Sequence, residues 1–231
     1  IKRAFLIHLY DFCLIILISV VVFILHVKKG YEERLLSVQK QMAKNEIAYE
    51  LMENGDMDDL TTVVLDHYFS NEMKRISPET SCACKHLLVY EQMIKRNIQQ
   101  ALIFEDDILL KQNFKQVFTG TLKEVETKKP AHGRYMISYE NSGLKFVSKK
   151  ELQPGGYLYR QTSGRCAGAY VLSLDAAKYL IEKAVTEKVN LPIDWWHNRF
   201  FENNEINIYW CEPAIAEQGS HNGMFSSSIG R

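Results

Sequence analysis

Ala101-Leu102-Ile103-Phe104-Glu105-Asp106-Asp107-Ile108-Leu109-Leu110 runs four apolar residues into three adjacent carboxylates, after which apolar residues resume. The stretch reads as a buried strand that ends at a polar crevice. In open α/β sheets, ligands bind in that crevice, beyond the carboxyl ends of the strands. Three crowded carboxylates repel one another unless a cation neutralises them. A hard divalent ion with oxygen ligands fits, and such ions usually arrive with substrate phosphates. The competing reading is a solvated acidic turn, or carboxylates capping the next helix. Strand alternation places Glu105 and Asp107 on one face and Asp106 on the other.

Upstream, Val20 to Val27 is rich in β-branched residues and ends in His26-Val27-Lys28-Lys29-Gly30, a first strand and its loop. Tyr31 to Met42 follows as a helix, with Leu35, Leu36 and Val38 among charged residues. Phe12 to Leu25 is almost wholly apolar, nearly enough for a membrane span of about 20 residues. A strand of a soluble sheet cannot also sit in lipid, so the span is rejected. Residues 1–19 then form an extra apolar helix, packed on the domain or dipping into a membrane surface, and 20–231 form a single domain.

Further along, Glu46 to Met52 reads as a short strand and Asp58 to Phe69 as a helix. Ser81 is the expected cap of a helix running to Asn97. Lys111 to Val125 reads as a helix, Arg134 to Tyr139 as a strand, Ala169 to Ser173 as a strand, and Asp175 to Ala184 as a helix. This alternation predicts one α/β layer sandwich. Lys+Arg and Asp+Glu both number 28, so no global field draws the chain to nucleic acid. Five cysteines, an odd number at irregular spacing, argue against a disulfide framework. Cys82-x-Cys84-x-His86 lacks the usual spacing of a zinc site.

The motifs, taken in order, resemble glycosyltransferase family 25, which includes bacterial lipooligosaccharide galactosyltransferases and relatives of collagen galactosyltransferases. Val21-Val22-Phe23-Ile24-Leu25-His26 with Glu33-Arg34 is similar to that family's opening strand and Arg-bearing helix. Pro78-Glu79-Thr80-Ser81-Cys82-Ala83-Cys84-Lys85-His86 resembles its Gly-Glu-x-Gly-Cys-x-x-Ser-His segment, with Pro78 in place of Gly and Lys85 in place of Ser. The acidic strand end, Gly168 to Ser173, Pro192-Ile193-Asp194 and the segment from Glu212 to Ile229 complete the likeness. It implies a GT-A-type, Rossmann-like fold with a mostly parallel central sheet, a nucleotide-sugar donor and inversion at the anomeric carbon.

The chemistry of such a transfer assigns roles to the residues. Mn2+ or Mg2+ would be held by Asp107 with help from Glu105 and His221. Lys28, Arg34, Glu79, His86, Glu105 and Asp106 are the expected donor contacts. Asp106 has a competing reading as a buried, hydrogen-bonded structural acid. Asp194 is the expected base for the acceptor hydroxyl, with Trp195 and Trp196 excluding water or stacking on sugar. Its competing reading is a cap for a helix starting at Trp195. The expected partners are a UDP-sugar donor, a lipid-linked oligosaccharide acceptor and a membrane surface, with no nucleic acid. The expected location is the cytoplasm, peripheral on the inner face of the bacterial inner membrane. Two other functions compete: a metal-dependent phosphohydrolase, and a non-catalytic sugar-nucleotide-binding protein of the same fold.

Overall fold

The computed structural model describes residues 20–141 and 145–227. The apolar helix expected at 1–19 lies outside the described residues. A seven-stranded sheet runs in the order β2-β1-β3-β7-β5-β8-β6. Its strands are β1 (Val21–Leu25), β2 (Glu50–Met52), β3 (Gln100–Glu105), β5 (Tyr135–Ser138), β6 (Leu158–Gln161), β7 (Ala169–Ser173) and β8 (Asn207–Cys211). Strands β2, β1, β3, β5 and β8 share one direction, while β7 and β6 run against them. The sheet is therefore mostly parallel by direction, with β7 as an antiparallel insert. A second, two-stranded ladder pairs β4 (Ile108–Leu110) with β9 (Ala216–Gln218).

Among the described residues, six α-helices complete the layers: α1 (Glu32–Lys44), α2 (Thr62–Tyr68), α3 (Pro78–Arg96), α4 (Phe114–Lys128), α5 (Leu174–Thr186) and α6 (Ile193–Glu202). The period-2 alternation of the strands sorts their side chains into two cores. Phe23, Leu25, Ala101, Ile103, Tyr170 and Leu172 face the core built with α3, α5 and α6. Val22, Ile24, Leu102, Phe104, Ala169 and Val171 face the one built with α1 and α4. Strands covered on both faces need no polar side, which is why these runs are continuously apolar.

Two expected caps are corrected. The α3 helix begins earlier, because Ser77 accepts from the Thr80 N–H and Pro78 fills the first helical position; Ser81 lies inside the helix. The α6 helix starts at Ile193 after Pro192, so Asp194 sits in its first turn and is not its cap. Strands β4, β6, β8 and β9 were not expected from the sequence.

Two registers build the functional end. Parallel pairing of β1 with β3 sets Leu25 beside Glu105, so His26 meets Asp106 where both strands end. Pairing of Ile108 with Gln218 carries the turn after β9 onto Asp107. Among the described residues, no helix is long and apolar enough to cross a membrane.

Candidate active site

A cavity of about 450 Å³ opens at the carboxyl ends of β1 and β3, large enough for a nucleotide-sized ligand. Its wall includes Lys28, Arg34, Asp59, Cys82, Glu105 and Asp106. Expected donor contacts Lys28, Arg34, Glu105 and Asp106 thus gather on one cavity. Glu79 lies in the first turn of α3 and does not line it, whereas its neighbours Pro78 and Ser81 do. The Glu79 carboxyl is held below its usual range by the amide at its own helix start and by Ser77. His86 stands behind the cavity, fully buried.

The alternation expected through the acid triplet stops early. Strand β3 ends at Glu105, and Asp106 and Asp107 occupy the turn leading to β4. The two aspartates nonetheless point apart. Asp106 Oδ2 lies 2.7 Å from His26 Nδ1, and its Oδ1 accepts from Arg34 Nη1 at 3.2 Å, all with little exposure. Arg34 also donates to the Ser226 carbonyl and stacks over Tyr31. Two further ion pairs fasten the 53–59 loop that forms the opposite wall. Lys85 Nζ reaches Asp56 Oδ1 at 2.7 Å and donates to the Glu53 and Asn54 carbonyls. Lys28 Nζ reaches Asp59 Oδ2 at 3.3 Å. His26, Asp56, Asp59 and Gln218 are site residues that sequence reasoning missed, since each comes into place through a turn or a long-range register.

Asp107 behaves differently. Its Oδ2 accepts from the Ser220 N–H at 3.1 Å, while its Oδ1 is buried without a hydrogen-bond partner. Burial and then the Glu105 charge push its carboxyl above the usual range. Burial acts to raise Glu105 as well, but His86 and Cys82 outweigh it and hold that carboxyl below the usual value. The Asp194 carboxyl is raised by burial, with the Glu105 charge adding to it and the Trp195 N–H opposing. Glu105 therefore lies close enough to influence both Asp107 and Asp194. The indole pair does not flank Asp194 as expected. Trp195 is 65% exposed and free to meet a sugar ring, but Trp196 is wholly buried against Phe200 and donates to the Lys188 carbonyl. His221 lies in the turn whose Gly219 and Ser220 amides bind Asp107.

The sequence profile of glycosyltransferase family 25 (LPS biosynthesis protein) matches residues 21–196, most of the chain. The chain belongs to glycosyltransferase family 25. Its similarity to a Bos taurus protein described as "Probable inactive glycosyltransferase 25 family member 3" is 29% identity over 57% of this chain and 22% of that one. The lipooligosaccharide biosynthesis protein lex-1 of Haemophilus influenzae is 26% identical over 61% of this chain and 49% of that one. The lacto-N-neotetraose biosynthesis glycosyltransferase LgtE of Neisseria gonorrhoeae is 22% identical over 64% and 55%. The chain thus spans about half the length of these bacterial relatives and about a fifth of the animal one.

A glycosyltransferase implies a sugar donor and an acceptor, and this family-25 site can be tested for the divalent ion expected with a phosphate-bearing donor. The residues fit. An orphaned buried carboxylate oxygen on Asp107, pushed upward by a neighbouring carboxylate, is a position that a cation would relieve. Oxygen ligands of this kind suit Mn2+ or Mg2+.

Proposed function

We propose that this family-25 domain is an inverting transferase that moves a hexose, galactose from UDP-galactose, onto a lipid-linked lipooligosaccharide acceptor. The observation that supports it best is Asp107, which carries a buried unpartnered oxygen and follows directly on Glu105 and Asp106, which line the cavity, although Asp107, Asp194 and His221 do not themselves line it. Lys28 and Arg34 line that cavity and would meet the nucleotide end of the donor. Asp107, with Glu105 and His221, would hold Mn2+ or Mg2+, which when bound neutralises charge building on the departing diphosphate. Asp194 takes the acceptor hydroxyl's proton as the oxygen attacks the anomeric carbon, and UDP leaves on the opposite face. Its raised pKa matches that task, since a base near the working pH transfers protons best.

Asp106 acts as a positioning acid that sets Arg34. His86 sets Glu105 from behind, and Glu79 stiffens the start of the helix that carries His86. The galactosyl and lipooligosaccharide assignments follow the likeness stated above and the names of the bacterial relatives. The animal relative described as "Probable inactive" favours a second reading, a domain that binds the nucleotide sugar without turnover.

A thermal-shift panel of UDP-sugars, with and without Mn2+, tests the reading. A donor at about 100 times its Kd raises stability by about 2.7 kcal/mol, or about 5–10 °C here. The expected result is a shift with UDP-galactose that needs Mn2+ and disappears in Asp107→Ala, accompanied by UDP release when acceptor is added. A shift without UDP release supports the non-catalytic reading. No shift with any nucleotide sugar removes both.

A further inference from the structure

We propose that Cys82, His86 and Glu105 form a second cation site, selective for a thiophilic divalent ion of the zinc class, on the inner wall of the donor cavity. The three ligand atoms lie within 4.8 Å of one another. The helix supplies two of them: a Cys-x-x-x-His spacing on α3 puts both side chains on one face. The third comes from the end of β3. Cys84, two residues on, turns to another face of the helix.

The two edges that meet at Glu105 have the length of a ligand cage's. A tetrahedral zinc with bonds of about 2.3 Å to sulfur and about 2.1 Å to nitrogen and oxygen sets sulfur–oxygen edges of about 3.6 Å and nitrogen–oxygen edges of about 3.4 Å. Cys82 Sγ and His86 Nε2 each lie 3.6 Å from Glu105 Oε1. At 3.6 Å the imidazole and carboxylate are too far apart for a good hydrogen bond. His86 Nε2 is accordingly buried with no hydrogen-bond partner, although the ring is fully enclosed.

The surroundings hold each ligand in place. His86 Nδ1 is 2.7 Å from the Tyr170 hydroxyl, which is 2.6 Å from the Tyr90 hydroxyl, itself 3.1 Å from His197 Nε2. A ring nitrogen tied in this way fixes the ring and leaves Nε2 to coordinate. Gln218 Nε2 donates to Glu105 Oε2 at 3.1 Å, which leaves Oε1 turned toward Cys82 and His86. Because Cys82 and Glu105 line the cavity, an ion has an entry path and a water can fill the fourth position. Capture of Zn2+ breaks the Cys82 S–H bond, sends the proton to solvent and changes no oxidation state. On the reading of Proposed function, occupancy draws Glu105 away from the donor's cation, so zinc restrains transfer.

The test is a Co2+ titration of the full chain without a histidine tag, read by near-ultraviolet absorption. The expected result is one equivalent with a thiolate-to-cobalt charge-transfer band that Zn2+ displaces. Cys82→Ser abolishes the band, Cys166→Ser keeps it, and Glu105→Gln keeps it but weakens binding at least about tenfold, the step of one lost ligand contact. No band at saturating Co2+, a band that survives in Cys82→Ser, or one lost in Cys166→Ser overturns the site. Should Cys82→Ser misfold, unchanged affinity in Glu105→Gln decides against it. No arm uses donor or acceptor, so failure here is separate from failure of the transferase reading.

Discussion

The two sides of the acidic tip differ in how their charges are settled. On the side lined by Lys28 and Arg34, three carboxylates have basic partners: Asp106 has His26 and Arg34, Asp56 has Lys85, and Asp59 has Lys28. On the far side Glu105 meets His86 at 3.6 Å beside the neutral Gln218 and Cys82, and Asp107 and Asp194 accept amide hydrogens with no ion pair among the described residues. Asp106 and Asp107 are adjacent in the chain, yet one is buried and paired while the other is buried and strained by its neighbour. Paired acids hold shape. Acids left short of positive charge are poised for a cation or a proton. The contrast separates scaffold from chemistry within one tripeptide.

The sharpest way to break it is Asp107→Asn. Transfer is expected to fall about 10³-fold, as for loss of one charge-stabilising group. The same variant is expected to be more stable by about 1 kcal/mol without divalent ions, because a buried like-charge repulsion is gone. The pH dependence follows in sign. A carboxyl whose folded pKa is raised binds more protons folded than unfolded, so its stabilising contribution is full below its ordinary pKa. That contribution is lost as pH rises toward the raised value, and Asp107→Asn flattens the loss. Urea midpoints across acidic pH, without divalent ions, measure it. A variant less stable than the parent at neutral pH would reverse the assignment.

Asp106→Asn is the opposite case. Breaking a buried pair leaves Arg34 and His26 uncompensated and is expected to cost about 3 kcal/mol of stability. Urea unfolding with an unchanged slope reads that directly. If Asp106→Asn keeps its stability and loses only Mn2+ dependence, Asp106 belongs with the chemistry instead.

The asymmetry was half legible in the sequence. The apolar run into three acids marks a strand end, and β-branched Val20 to Val27 marks its parallel neighbour, because both depend on local pattern. Ala169 to Ser173 read correctly for the same reason. Which acid is paired was not legible from pattern alone, since His26 reaches Asp106 only through the β1–β3 register and Ser220 reaches Asp107 only through β4–β9. Those last two strands are three residues each, too short to show a period. The tryptophans misled because Trp195 and Trp196 are indistinguishable in composition, while helix phase buries one and exposes the other.

Asp194→Asn probes the unpaired side with less force. Loss of a general base is expected to lower kcat about 10²-fold. The amide oxygen still accepts from the Trp195 N–H, so stability changes little. In the parent, kcat/KM rises with pH as Asp194 ionises, and the rise lies above the range of an ordinary carboxylate because burial raises this one. The variant is expected to lack that limb. A variant that keeps the limb assigns it to another group.

Lys85→Ser gives the smallest effect and tests the paired side at its rim. Serine is the residue usual in the family segment that this helix resembles, so the substitution suits the position. It removes the Asp56 ion pair and two hydrogen bonds to loop carbonyls. The loop does not fall free, because Ser81 Oγ donates to the Gly55 carbonyl and the Lys28 N–H donates to Asp56. The net loss is therefore about 1 kcal/mol, or about a fivefold rise in donor KM. A wall residue that contacts the donor equally in ground and transition states leaves kcat unchanged. A fall in kcat at constant KM would instead place Lys85 among the groups that act on the reacting bond, and the division between the two sides of the tip would no longer hold.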